Sequence, residues 1–88
     1  MDPIETVIFE LLGRIPPGKS VSPEDVARAV DPEGWRRQLS RVRATAVGLA
    51  RQDRLTITRH NKPADPDDFR GVWRMRLPDA QPDEERAP

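Results

Sequence analysis

Three observations predict an α+β domain. Apolar residues repeat at helical spacing through the first half of the chain, apolar and polar residues alternate after Leu55, and prolines or glycines punctuate the junctions. The first helix spans about Pro3 to Leu12. Asp2 is its cap, Pro3 suits the first helical position, and Glu5 stands in capping-box register. Ile4, Val7, Ile8, Leu11 and Leu12 form one apolar face, and Gly13 with Pro16-Pro17-Gly18 ends it.

Lys19-Ser20-Val21 is long enough only for a stub of extended chain. Ser22-Pro23-Glu24-Asp25 then starts a second helix, with a cap, a proline and two acids on the positive end of the dipole. Val26, Ala27 and Val30 are its short apolar face, and Asp31-Pro32-Glu33-Gly34 is a tight turn. The third helix runs from Trp35 to Gln52. At 100° per residue, Trp35, Leu39, Val42, Ala46, Leu49 and Ala50 share the inward arc. Arg37, Ser40, Arg41, Ala44, Gly48 and Arg51 lie opposite, with Arg36 and Arg43 along one edge.

Leu55–Arg59 alternates with Leu55 and Ile57 inward, and Val72–Leu77 with Trp73, Met75 and Leu77 inward. His60 to Gly71 reads as a polar loop between them. Trp35 and Trp73 are assigned to the core, which has few other large residues. From Pro78 to Pro88 the chain has nothing to bury and is expected to be a disordered acidic tail, leaving residues 1–77 as the folded domain. This is the order of a winged helix: three helices, then a two- or three-stranded hairpin wing, with the Val21 stub as a candidate third strand.

Among 88 residues there are 15 basic and 15 acidic side chains, so the net charge is zero. The charge is nevertheless segregated. Gly34–Lys62 carries eight basic residues against Asp53 alone, whereas Met1–Glu33 carries seven acids against three bases. Such a field suits a polyanion. Arg37 and Arg41, with Ser40 between them, are the candidates to enter a major groove. Arg36, Arg43, Arg51, Arg59 and Lys62 are candidate phosphate contacts, and Asn61, with Arg59 and Lys62 in the wing, is a candidate nucleic-acid contact at a phosphate or in a minor groove. The expected partner is nucleic acid, double-stranded DNA in particular. The plain alternative for each is a solvated helix face or a polar turn.

A second reading uses the same basic face to dock an acidic protein or a second copy, as a monomer or weak homodimer. The tail is a further candidate occupant of that face. The chain has no cysteine and one histidine, His60, and the Asp65, Asp67 and Asp68 spacing fits no calcium loop. Those acids are expected to pair with Arg70, Arg74 or Arg76. No nucleophile set, metal set or phosphate loop is evident, so neither enzymatic activity nor a cofactor is expected. With no signal peptide and no apolar run of membrane-spanning length, a cytoplasmic protein is expected.

The wording of the chain is also informative. Gly18-Lys19-Ser20, Ser22-Pro23-Glu24-Asp25-Val26-Ala27-Arg28-Ala29, Trp35-Arg36, Arg41-Val42-Arg43 with Ala46, Arg54-Leu55, Ile57-Thr58, Lys62-Pro63, Asp65-Pro66 and Arg70-Gly71 together resemble the bacterial domain-of-unknown-function family 3253. The resemblance covers about Ile4 to Leu77. It implies a winged-helix fold, with no catalytic residue or cofactor to carry over. Ile15-Pro16-Pro17-Gly18-Lys19-Ser20-Val21-Ser22 is more distantly similar to the entry of the winged-helix domain in alkylguanine methyltransferases and their alkyltransferase-like relatives. Their Pro-Cys-His-Arg stretch has no counterpart here, so methyl transfer to a thiolate is excluded and only a DNA-binding analogy remains.

Overall fold

The computed structural model describes residues 2–16 and 18–78. The elements are α1 (Pro3–Gly13), α2 (Pro23–Val30), α3 (Trp35–Arg51), β1 (Thr56–Arg59), β2 (Lys62–Pro63) and β3 (Arg74–Arg76). Three helices and one antiparallel sheet in the order β2-β1-β3 make an α+β winged helix. Most of the expected tail, residues 79–88, lies outside the described residues.

Helix boundaries follow local chemistry. Asp2 caps α1 by accepting the Ile4 N–H at 2.9 Å, and its other carboxylate oxygen accepts the Thr45 hydroxyl at 3.0 Å, tying α1 to α3. Glu5 does not close a capping box on Asp2; it faces Arg54 at 3.6 Å instead. The reciprocal box is at α2, where Ser22 Oγ accepts the Asp25 N–H at 3.0 Å and Asp25 accepts the Ser22 N–H at 3.2 Å. At the far end of α3, Asp53 takes φ 61°, and the Arg54 N–H reaches back to the Leu49 carbonyl at 3.0 Å. The same carbonyl accepts the Gln52 N–H at 3.1 Å, so two donors close the helix end on it.

The core forms where the apolar faces meet. Ile4, Ile8 and Leu12 of α1 pack with Val26 and Ala27 of α2 and Val42, Ala46 and Leu49 of α3. The sheet closes over them with Leu55, Ile57 and Met75. Burial of each large side chain stabilises by roughly 1.5–3 kcal/mol, which must offset chain entropy in a domain this small. Val21 does act as a third-strand stub: it exchanges both backbone hydrogen bonds with Met75 at 2.9 Å on the outer edge of β3.

The structure corrects four expectations. The loop predicted over residues 60–71 contains β2, which pairs Thr58 with Pro63 and Arg59 with Lys62. The chain reverses through His60 and Asn61 at φ 54° and 66°, so both turn residues are left-handed, as a two-residue hairpin with right-handed twist requires. Phe69, assigned to the same polar loop, is buried and meets Trp73 edge-on, with ring centres 5.4 Å apart. Leu77, expected inward, is exposed because β3 ends at Arg76. Trp35 is only half-buried, since it opens α3 at the margin of the core.

Candidate nucleic-acid interface

The outer face of α3 is set by the rotation that buries Val42, Ala46 and Leu49. Arg36, Arg37, Ser40, Arg41, Arg43, Ala44 and Arg51 are all exposed on it. Small side chains at Ser40, Ala44 and Gly48 keep the middle of this face low between the arginines, and nothing lies within 4 Å of where a Gly48 Cβ would stand.

The arginines divide by position along the helix. Near the carboxyl end, Arg51 is held by both Nε (2.8 Å) and Nη2 on Asp67, and Arg54 faces Glu5. The loop acid Asp67 therefore pairs with α3, and not with Arg70, Arg74 or Arg76 as expected. Arg43, midway, donates to the Phe69 carbonyl at 3.0 Å, with its guanidinium carbon 4.0 Å from the Phe69 ring centre. Toward the amino end, Arg41 donates to the Gln38 side-chain oxygen at 3.3 Å and has no ion pair among the described residues. Arg36 rests on the Trp35 ring at 4.5 Å. Arg37 folds back over Gly34 beside Asp31, where a Cβ would stand 2.4 Å from its Nη2 and 2.6 Å from Asp31 Oδ2.

The cause of this division lies in the wing. Phe69 anchors residues 64–73 to the core, which draws Asp67 onto Arg51 and leaves the first half of α3 without an ion pair among the described residues. The guanidinium groups of Arg36 and Arg41 are thus left without an acid, while that of Arg37 lies back over Gly34 beside Asp31. The α3 end they occupy has no acid in its first turn, and the carboxylate beside it is that of Asp31, which accepts the Gly34 N–H at 3.0 Å.

The sequence-predicted wing residues are partly gathered here. Asn61 and Lys62 are exposed at the β1–β2 turn. Arg59 is turned away from the turn, its Nε donating to the Val72 carbonyl at 3.1 Å and its guanidinium covering Gly71, where φ is 80°. Arg74 is committed to Ser20, bonding its hydroxyl at 2.7 Å and its carbonyl at 3.0 Å.

Two features were not read from the sequence. Arg28, in the last turn of α2, lies 4.4 Å from the Trp35 ring centre and joins the basic surface. A groove of about 490 Å³ separates the start of α2 from the Gly71–Arg74 segment; Leu39 and Ser40 line it with Pro23, Val72 and Trp73. Val72, 82% exposed, stands at this groove. No group of three His, Cys, Asp or Glu side chains suited to a metal ion occurs among the described residues. Nor is any of their helices long and apolar enough to cross a membrane.

No curated protein is significantly similar to the chain. The family profile described as "Protein of unknown function (DUF3253)" matches residues 1–78, which include every helix and strand described above. A chain that carries this pattern from the α1 cap through β3 belongs to the DUF3253 family.

Proposed function

We propose that this protein is a non-enzymatic winged-helix module that binds nucleic acid, double-stranded DNA in particular, in the bacterial cytoplasm. The first half of α3 is the element that enters the major groove. The observation that carries the reading is the contrast along α3: Arg51 and Arg54 are matched by carboxylates and Arg37 lies beside Asp31, whereas Arg36 and Arg41 have no carboxylate partner among the described residues. A helix about 10–12 Å across with small central residues suits a major groove about 12 Å wide. Arg37 and Arg41 flank Ser40 and are the candidates for base edges. Arg36, Arg43 and Lys62 are the phosphate contacts.

Fluorescence anisotropy with a random-sequence duplex at several salt concentrations tests the reading. Neutralising about four phosphates gives a log–log slope near −4. An absence of binding at low salt overturns it. The second reading, docking of an acidic protein or another copy, draws on the apolar groove and exposed Val72 beside the same arginines. A salt-sensitive mass in size exclusion, without duplex binding, would favour it.

A further inference from the structure

Two cations share one indole at the corner between α2 and α3. The guanidinium carbons of Arg28 and Arg36 lie 4.4 and 4.5 Å from the centre of the Trp35 ring. Both arginines are exposed, and neither has a hydrogen bond or carboxylate partner among the described residues. Each is attracted to the ring by its quadrupole, but the ring accepts no strong hydrogen bond. The donors on each guanidinium are therefore left for a polar ligand, and the shared ring keeps the two like charges close to each other.

The turn's own acids do not neutralise this pair. Asp31 accepts the Gly34 N–H at 3.0 Å and has Arg37 on its other side, and Glu33 is exposed. Both guanidinium carbons lie within 4.5 Å of a common point, so they are at most about 9 Å apart, a spacing that suits neighbouring phosphates of one strand. We infer that Arg28 and Arg36, positioned by Trp35, form a paired site for two neighbouring phosphates on one strand of the bound nucleic acid, one phosphate on each arginine. Arg28 extends the interface from α3 onto α2. The inference rests on the nucleic-acid reading and specifies where one strand is gripped.

The test is Arg28→Ala in the full chain, measured by anisotropy against the same random duplex over a series of KCl concentrations. Arg54→Ala serves as control because its arginine faces Glu5. Loss of one phosphate contact should weaken binding about five- to tenfold near 0.1 M salt and reduce the slope by about 0.9, with Arg54→Ala unchanged. Trp35→Leu should reproduce the loss, and Trp35→Phe should retain most of the affinity. A wild-type protein that binds while Arg28→Ala keeps its slope overturns the paired site and spares the nucleic-acid reading. An equal change in Arg54→Ala also overturns it, since the effect would be net charge alone. A wild type that does not bind removes the reading on which the site depends.

Discussion

Arg43 and Phe69, 26 positions apart, are joined twice: the guanidinium carbon lies 4.0 Å from the ring centre, and Nη2 donates to the Phe69 carbonyl at 3.0 Å. The contact fastens the long wing connection to the middle of α3. It determines which arginines face outward, because the same connection delivers Asp67 to Arg51.

Removing this clip should loosen the wing. Arg43→Ala is expected to cost about 1–2 kcal/mol, from a cation–π contact and a charged hydrogen bond, both at a partly exposed site. Phe69→Ala empties a buried position and should cost about 3–5 kcal/mol, enough to unfold much of so small a domain. Urea denaturation of the two variants and of Phe69→Leu checks the ranking. Equal stability of Phe69→Ala and wild type would refute the anchor.

The Arg51–Asp67 pair is a surface bridge, with side chains 62% and 57% exposed, so Asp67→Asn should change stability by less than about 1 kcal/mol. Its effect on binding should be larger, because it frees a guanidinium. Duplex affinity is expected to rise and the salt slope to steepen by up to about 0.9. A fall in affinity would show that Asp67 positions Arg51 for contact.

Replacing Arg37 and Arg41 together by alanine should weaken duplex binding more than replacing Arg74 and Arg76 together. The first pair lies on the outer face of α3, whereas Arg74 is occupied by Ser20. Anisotropy at one fixed salt concentration ranks the two double variants. Equal losses would move the interface off α3.

Gly48 separates stability from function. Open space surrounds its missing Cβ, so Gly48→Ala should stabilise α3 by about 1 kcal/mol. Gly48→Gln should keep most of that gain in thermal denaturation while lowering duplex affinity, because a longer side chain would hold the groove away. Undiminished binding by Gly48→Gln would place the duplex elsewhere.

The helices were legible because their signals are local. Asp2-Pro3, Ser22-Pro23 and Gly34 stand within a turn of the ends they define, and Ile4, Ile8 and Leu12 show their shared face by spacing alone. β2 was not legible, since Lys62-Pro63 is too short for any alternation and is specified by its pairing with Thr58 and Arg59. Phe69 stood alone among prolines and aspartates, and only packing against Trp73 marks it as core.

The same boundary divides the site. Sequence alone determined the order of elements, the rotation of α3 and the presence of arginines on its outer face, because periodicity acts between residues a few positions apart. Tertiary structure decided which charges remain unmatched: Asp67 comes to Arg51 across 16 positions, Glu5 to Arg54 across 49, and Arg28 to Trp35 across the helix turn. Coulomb and cation–π interactions depend on distance in space, and that distance exists only once the core has closed.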